Sequence, residues 1–475
     1  MQKISICCFV LFIVFVSSCN KQLSIEHPSI SSTRQLNLKS YATGVTLTSA
    51  KSMAQQFLQN KNPNVTVTIK DAQTIIKNGV PYFHIINANK GFVILSPDSI
   101  YSPILAYDSI NNFSFANEDL NPGLVMWMNK HAHELDFIRN TKNAFVDSIQ
   151  SANKTLWKCI GSLLNQAPKN NNIADYMATL VSSVPASKST NSTIGPLCPT
   201  LWGQDYPFNY YCPTGSTLYG YGSHDPAGCT PIAMAQVMYF WKYPTTPPPN
   251  APSNIAYNFA SMPLNKQAAN LLPVAGEMQR LIHDCGLALQ TSYGPTESGT
   301  APDNIGLGFY SMHYGSYSQT NSLSQQAWSG ADDGTTYATL LTNEIQTNKR
   351  PCIVSGFTIY HSGPLGTFPN PGGDGHSWVC DGSNVTTYYF GTTNTYVYNG
   401  IYTTTTTYTS SQSVSLLHMN WGWENPYAVG QLDQQGNVLT NNGWYDCSVN
   451  YTQSGSANGD ENFQYFQIVN YNIHP

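Results

Sequence analysis

One cysteine, Cys229, stands at the start of a helical pattern in GCTPIAMAQVMYFWKYP, residues 228–244. Gly228 before it allows a sharp turn, and Pro231 suits a first helical turn because its missing N–H would have no partner there. Apolar residues then recur at helical spacing, which predicts a helix that ends near Pro244. The positive end of such a helix favours a thiolate over a thiol. Cys229 is therefore a candidate nucleophile for attack on a carbonyl carbon.

A thiol nucleophile needs a base, and His376 is the best placed of the 11 histidines in the chain. It lies in GGDGHSWVCDG, residues 372–382, where glycines clear space around the ring and a strand-like run holds the backbone. His131 and His133 lie two apart on a predicted helix and point in different directions, which makes a poor metal pair. The simpler interpretations are a small buried cysteine and a histidine hydrogen-bonded within the core.

Asparagine, tryptophan and glutamine residues supply the other groups that carbonyl chemistry needs. Asn420, in LLHMNWGWE, can accept a hydrogen bond from the imidazole and fix its tautomer, while Trp421 shields that bond from water. Gln204, in LWGQDYPFN, lies 25 residues before Cys229. Its amide and the backbone N–H of Cys229 can together hold the negative oxygen of a tetrahedral intermediate. The simpler interpretations are a core strand with a glycine bulge at NWGW and a plain loop at WGQ.

The elements that must position these residues predict an α+β protein of two domains, since 475 residues exceed one compact domain. Residues 45–180 are predicted to form a helix, short strands and two further helices. Residues 181–196, VSSVPASKSTNSTIGP, lack apolar periodicity, which predicts a loosely structured linker and processing region. In residues 197–475, helices come first and a run of strands follows, which favours α+β over alternating α/β.

The N-terminus predicts export. Residues 1–19, MQKISICCFVLFIVFVSSC, contain a lysine, an apolar run too short for a comfortable membrane span, and then small residues, as in a signal peptide. The end of this segment resembles a lipobox, which implies cleavage before Cys19 and lipidation of its thiol. An ordinary signal peptide with a chance cysteine is the alternative. Residues 20–44 predict a flexible tether, and the expected location is the outer membrane, the cell surface or the medium.

Composition excludes several classes of function. The formal net charge is -5, charged residues make up 10%, and there is no basic tract, so no nucleic-acid partner is expected. Membrane contact is expected only through the lipid anchor. The 11 cysteines show no CxxC spacing, and neither a metal nor an organic cofactor is expected. Disulfides stay open for an exported chain, because their pairing cannot be deduced from the sequence.

Five segments together resemble one family of enzymes. They are LWGQDYPFNYYCP, GCTPIAMAQVMYFWKYP, LIHDCGLALQTSYGPTESGTA, GHSWVCDG and LLHMNWGWE. The order Gln, Cys, His, Asn is that of papain-type cysteine peptidases, and the fit is closer to the streptopain branch. This resemblance covers most of residues 196–475. The first domain resembles the propeptide of that family or its related inhibitor, through GFVILSPDSIYSPILAYDSINNFSF and the helix after NPGLVMWM.

The resemblance implies a papain-like fold, in which a helical half carries the cysteine and a twisted antiparallel sheet carries the histidine. It implies that Cys229 is the nucleophile, that His376 is the base, and that Gln204 is the oxyanion-hole donor. Asn420 and Trp421 would then orient and cover the imidazole. No cofactor takes part in this chemistry.

The resemblance also implies that Trp423 and Gly375 contact the substrate, and that the substrates are proteins or peptides. It implies that the first domain acts as an intramolecular inhibitor. The interval between the histidine and the asparagine is 44 residues, longer than the family shows, and residues 392–414 supply the excess as an inserted hairpin. Segment 363–373, before the histidine, is also long, so the shape of the cleft stays open.

Three other functions stay open beside an exported cysteine endopeptidase made as a zymogen. The first is a catalytically silent binding or adhesion lipoprotein on a peptidase fold, although all of Gln204, Cys229, His376 and Asn420 are kept. The second is a Cys-His acyl transferase, although those enzymes usually pair the histidine with aspartate. The third is a first domain that inhibits the peptidase of another protein.

Overall fold

The computed structural model describes most of the chain from residue 43 onward. The described ranges are 43–77, 79–113, 122–142, 144–164, 180–218, 220–246, 256–270, 272, 276–319, 335–357, 360–363, 366–369, 375–398, 401–422, 442–446 and 468–475. The predicted signal peptide, with Cys19, and the predicted tether up to residue 42 lie outside them. Within the described ranges, no helix is both long and apolar enough to cross a membrane.

Helices and strands are both well represented. The helices are α1 (Leu47–Lys61), α2 (Pro122–Asn140), α3 (Ala144–Leu164), α4 (Cys229–Trp241), α5 (Lys266–Ala269), α6 (Glu277–Ala288), α7 (Asn304–Ser311) and α8 (Thr335–Gln346). The strands are β1 (Ile69–Lys77), β2 (Val80–Ala88), β3 (Phe92–Leu95), β4 (Ile104–Asp108), β5 (Leu180–Ile194), β6 (Ser316–Gln319), β7 (Cys352–Phe357), β8 (Tyr360–Gly363), β9 (Gly366–Pro369), β10 (Gly375–Tyr398), β11 (Ile401–Asn420), β12 (Gly443–Asp446) and β13 (Ile468–His474).

The first domain packs helix α1 against the antiparallel strands β1 to β4. Thr46 caps this helix, because its hydroxyl accepts a hydrogen bond from the N–H of Ser49 at 3.1 Å. Ala50, Ala54 and Leu58 recur every four positions and are buried, so one stripe of the helix faces the sheet. Along the chain, α1 is followed by strands β1 to β4 and then by helices α2 and α3, which is the order predicted for this domain.

One antiparallel sheet runs through both domains. Its strand order is β1-β2-β3-β4-β12-β11-β10-β7-β13-β6, with β5 also paired to β10. The domains join at β4 and β12, where Tyr107 lies opposite Trp444 and Ala106 lies opposite Tyr445. The predicted α+β class is confirmed, and the sheet passes from one domain into the other.

Residues 181–196 differ from the loosely structured linker that composition predicted, because most of them form strand β5. This strand pairs antiparallel with β10 along residues 383–396. On its other side β10 pairs with β11, and the outer part of that long hairpin contains the insertion predicted at 392–414. Thr is β-branched and suits an exposed strand once a partner supplies the ladder hydrogen bonds. The lack of apolar residues therefore indicated exposure rather than absence of structure.

The single helix predicted over residues 263–286 is interrupted. Asn265 caps the short helix α5, since its side chain accepts a hydrogen bond from the N–H of Ala268 at 2.9 Å. Gly276 then precedes a new helix, α6. Both segments keep an apolar period, but each of these two residues favours a helix start.

Helix α4 is the central element of the second domain. Every residue from Cys229 to Tyr239 is buried, as expected for a helix that is covered on all sides. It packs against α6 and against β10. The start of α4 is therefore fixed against the strand whose second residue is His376.

Candidate active site

The backbone turns sharply into α4 at Gly228. This glycine has φ +88°, in the left-handed region, and a Cβ there would lie 3.2 Å from Cδ of Pro231. Cys229 follows, buried at the positive end of the helix. Its Sγ accepts a hydrogen bond from the N–H of Ser377 at 3.4 Å. The sulfur therefore lies beside the peptide group that joins His376 to Ser377.

The imidazole of His376 is held by strand β10 and by the chain that leaves β11. The side chain is buried, and its Nε2 lies 2.8 Å from the backbone oxygen of Trp421. Because a carbonyl oxygen only accepts, Nε2 carries a proton, and Nδ1 is the basic nitrogen of the neutral ring. The ring also stacks on Trp378, with centroids 6.1 Å apart and an interplanar angle of 15°. These contacts select one tautomer and one orientation.

Asn420 is buried at the end of β11, but within the described residues its amide bonds to groups other than the imidazole. Nδ2 donates to the backbone oxygen of Thr200 at 2.7 Å and to Oε1 of Gln236 at 3.0 Å. Oδ1 accepts from the N–H of Gly422 at 3.3 Å and from Nδ2 of Asn442 at 3.2 Å. The asparagine thus fixes the backbone around it, and the next carbonyl along the chain makes the contact that the sequence analysis expected of the side chain.

Asn442 also belongs to this site and was missed by sequence analysis. Its Oδ1 accepts a hydrogen bond from the N–H of Trp421 at 2.9 Å, and its Nδ2 donates to Asn420. It therefore holds the backbone of the residue whose carbonyl contacts His376. No spacing in the sequence marks it, because it lies directly before a separate strand, β12.

The backbone of Gln204 lies beside the turn that leads into Cys229, because its oxygen accepts a hydrogen bond from the N–H of Ala227 at 2.9 Å. Its side chain is 5% exposed. Within the described part of the chain, its Nε2 is a buried donor without a hydrogen-bond partner. Such a donor is costly to bury, and a negative oxygen bound nearby would satisfy it.

The segment that carries Gln204 is fixed by an ion pair. Asp205, the next residue, is buried and paired with Lys266. Burial raises the pKa of this carboxyl to about 6, although the nearby ammonium acts in the opposite direction. The backbone oxygen of Asp205 also accepts from the N–H groups of Phe208 at 2.8 Å and Asn209 at 3.3 Å.

Of the two residues predicted to contact substrate, the structure describes one. Gly375 is half-buried at the first position of β10, opposite Phe357, whereas Trp423 lies outside the described residues. In the ranges described, no group of three His, Cys, Asp or Glu side chains is arranged to hold a metal ion. Burial raises the pKa of the Cys198 and Cys285 thiols well above the ordinary value, which makes both poor nucleophiles.

Two family models match the chain. That of the peptidase C10 family matches residues 202–428, a range that holds Gln204, Cys229 and His376. The chain carries a cysteine peptidase domain of the C10, or streptopain, family. The model described as Spi protease inhibitor matches residues 42–135, so an inhibitor domain precedes the peptidase domain. The predicted family and enzyme class are confirmed.

The solved structures that are similar to the chain include two of interpain A. A fragment of prointerpain A from Prevotella intermedia is 17% identical, covers 86% of this chain and 99% of its own, and has a TM-score of 0.45. Active wild-type interpain A cysteine protease, also from Prevotella intermedia, is 20% identical, covers 60% of this chain and 96% of its own, and has a TM-score of 0.33. No curated protein matches. The two family models therefore carry the assignment.

The inhibitor domain contacts the peptidase domain through helix α2 as well as through β4. Nε1 of Trp127 donates to the backbone oxygen of Asp446 at 2.7 Å. Nε2 of His131 lies 2.9 Å from the same oxygen, and its Nδ1 lies 2.5 Å from the hydroxyl of Tyr101. These buried polar contacts fix α2 over the end of β12.

A row of aromatic side chains connects this inhibitor helix to His376. The ring centroids are separated by 4.9 Å between Trp127 and Tyr445, 5.3 Å between Tyr445 and Trp421, and 5.2 Å between Trp421 and Trp378. All four of these residues belong to one buried cluster that both domains share. Trp421 therefore packs against Trp378, and Trp378 in turn stacks on the imidazole. The inhibitor domain completes the peptidase core at this point, because Trp127 lies at the other end of the row.

Proposed function

We propose that the protein is an exported cysteine endopeptidase in which Cys229 is the nucleophile and His376 the base. The observation that carries this proposal is the 3.4 Å hydrogen bond from the N–H of Ser377 to the sulfur, directly beside the histidine. Nδ1 of the imidazole takes the thiol proton, which gives the thiolate and imidazolium pair. The sulfur then attacks the carbonyl carbon, so that a C–S bond forms and the carbonyl π electrons move to oxygen.

Collapse of this tetrahedral intermediate breaks the C–N bond. The imidazolium gives its proton to the leaving amine, and an acyl-enzyme remains. Water then attacks the thioester carbon while His376 takes a proton from the water. The second tetrahedral intermediate collapses, the C–S bond breaks and the thiolate leaves beside the imidazolium, so that the free acid is released and the starting pair is restored. Nε2 keeps its proton through all steps and donates a hydrogen bond to the carbonyl oxygen of Trp421. This charge-assisted hydrogen bond stabilises the imidazolium.

The oxyanion of the intermediate is held by Nε2 of Gln204 and the backbone N–H of Cys229. The support for this role is that the Gln204 amide is buried without a partner in the described residues and tied by its backbone to Ala227. A donor that is already desolvated and aimed needs no rearrangement when charge develops, which is the basis of this kind of catalysis.

The peptidase and inhibitor domains together make the protein a protease zymogen, with proteins or peptides as substrates and its own first domain as the inhibitor. We propose that latency depends on the β4–β12 pairing and on α2. Cleavage within residues 181–196 stays a prediction. Because β5 is paired with β10, such a cut requires that the strand first leaves the sheet.

Export and anchoring are proposed from the sequence alone. The apolar run in residues 1–19 and the small residues before Cys19 support removal of a signal peptide and lipidation of that thiol. Mass spectrometry of the mature N-terminus tests this, because a diacylated cysteine and an unmodified residue differ by hundreds of daltons.

A biotinylated, thiol-reactive peptide tests the chemistry. Wild type, once processed, should be labelled at Cys229 and should hydrolyse peptides. Cys229→Ala should lose both without a change in Tm, and His376→Ala should lose labelling at neutral pH. Cys285→Ala is the control. Retained turnover in Cys229→Ala would refute the mechanism, and amine incorporation in place of hydrolysis would indicate an acyl transferase.

A further inference from the structure

Three buried hydroxyl groups join the helix that carries Cys229 to two strands of the sheet. Oγ1 of Thr230 donates to Oγ of Ser377 at 3.0 Å. Oγ of Ser377 lies 2.8 Å from Oγ of Ser355. Thr230 lies on α4, Ser377 on β10 and Ser355 on β7, and each is at most 5% exposed. We call these three residues the hydroxyl clamp.

Two members of the clamp, Thr230 and Ser377, lie next to the reacting residues. Thr230 follows Cys229, and its Oγ1 lies 4.0 Å from the sulfur. Ser377 follows His376, and its N–H donates to the sulfur at 3.4 Å. Ser355 is the cross-strand partner of Ser377. The clamp therefore spans the same junction that the proton must cross between sulfur and imidazole.

Packing alone does not call for hydroxyl groups at these positions. A buried hydroxyl is costly unless it is hydrogen-bonded, and valine or alanine would fill the same space without that requirement. Hydrogen bonds differ from apolar contacts in having a narrow range of length and angle. Two such bonds in series hold α4, β10 and β7 at one separation, whereas apolar packing would allow α4 to slide.

We propose that Thr230, Ser377 and Ser355 are positioning residues for the peptidase reaction, an inference that rests on the proposed function. The clamp sets the distance between the sulfur and the strand that carries His376. It also keeps the N–H of Ser377 on the sulfur, where a donor stabilises the thiolate more than the thiol. No clamp residue takes or gives the transferred proton, which passes between Cys229 and the imidazole.

The effect of the clamp is measured as the rate at which iodoacetamide alkylates Cys229 over a range of pH. Mass spectrometry identifies the alkylated residue. The full chain of each variant is processed in trans by matured wild type. Ser377→Ala removes both clamp bonds, and Thr230→Val removes one. For Ser377→Ala we expect kcat/KM to fall about tenfold to a hundredfold, as for a misplaced reacting group. Its alkylation profile should move to higher pH by on the order of one unit.

Other ionisable groups lie on or beside the elements packed at this junction. His376 is on β10, Asp225 precedes α4, and His131 and Glu134 are on α2 of the inhibitor domain. All four are present in every variant, and the last two are removed with the inhibitor domain. A difference between two alkylation profiles therefore reports the substituted hydroxyl.

Matched variants separate positioning from stability. Thr387→Val removes a cross-strand hydroxyl pair of the same kind on the same strand, 2.8 Å from Oγ of Ser413 and exposed, so its kcat/KM and alkylation profile should equal those of wild type. Thr230→Ser and Ser377→Thr keep the hydroxyl and should therefore keep most of the wild-type activity.

If Ser377→Ala and Thr230→Val lower Tm but leave the alkylation profile and kcat/KM unchanged, the clamp is only structural. Failure of the proposed function looks different: Cys229→Ala would keep full activity, or processed wild type would not be alkylated at Cys229.

Discussion

Tyr107 of the inhibitor domain and Trp444 of the peptidase domain lie opposite each other on paired strands, with their rings stacked at a centroid distance of 6.3 Å. The hydroxyl of Tyr107 accepts a hydrogen bond from Nδ2 of Asn384 at 2.9 Å. Burial of this phenol raises its pKa, so it stays a neutral group in the interface. The inhibitor domain is therefore bound as part of the enzyme's own sheet rather than as a separate cover.

The β4–β12 junction predicts a variant that weakens latency only. A Cβ at Gly443 would lie 3.1 Å from the backbone oxygen of Tyr107 and 3.2 Å from Phe92, both in the inhibitor domain. In Gly443→Val the larger side chain should separate the two strands, so the uncut chain should hydrolyse peptide roughly tenfold faster than uncut wild type. The processed enzymes should have equal kcat/KM. Equal activity of the two uncut chains would show that latency does not depend on this pairing.

Removal of the Gln204 amide should slow the chemical step. Because its Nε2 has no partner among the described residues, Gln204→Ala should leave Tm nearly unchanged and lower kcat by about 10²–10³, with little change in KM. Gln346→Ala is the opposite control, since that amide bonds to the backbone oxygen of Ser383 at 2.9 Å, farther along β10 than Ser377. It should lower Tm and keep kcat. A normal kcat in Gln204→Ala would show that this amide does not stabilise the oxyanion.

The Asp205–Lys266 pair predicts a pH dependence of stability. The pKa of Asp205 is raised to about 6 in the folded protein, above the ordinary value of 3.8, so the folded state holds a proton that the unfolded state has released. Stability should therefore fall as pH rises from about 4 to about 6 and then level off. In Asp205→Asn this decline should be smaller, as judged by Tm against pH. Lys266→Met should extend the decline to higher pH, since the carboxylate loses its cation, whereas identical curves for all three proteins would contradict the shift.

Strand β5 predicts resistance to proteolysis. Nζ of Lys188 lies 4.5 Å from the ring centroid of Tyr408 and 5.0 Å from that of Tyr389. Trypsin should therefore cut slowly after Lys188 in the uncut chain. Replacement of residues 387–413 by an Asn-Gly turn shortens the hairpin and removes the pairing of β5 around this lysine. Cleavage there should become at least several times faster, as followed by N-terminal sequencing, and an unchanged rate would mean that β5 is not protected by β10.

Local signals in the sequence were sufficient for most of the helices and for the family resemblance. The helix after Cys229 begins at the predicted residue because Gly228 and Pro231 act within one turn. The same reasoning failed for residues 181–196, where strand formation depends on a partner about 200 positions along the chain. It also misjudged Asn420, since the choice between an imidazole and a peptide carbonyl depends on how two strands approach each other.

The sequence by itself determined the family resemblance and the residues that we propose to react, since a thiol at a helix start, a histidine at a strand start and a glutamine ahead of both are properties of local pattern and order. The tertiary structure decided what surrounds them: the carbonyl of Trp421 on the imidazole, Asn442 behind it, the hydroxyl clamp beside the sulfur and the sheet shared with the inhibitor domain. These contacts join residues far apart in the chain, and hydrogen bonds depend on distances of a few tenths of an ångström that only packing of the whole fold can fix.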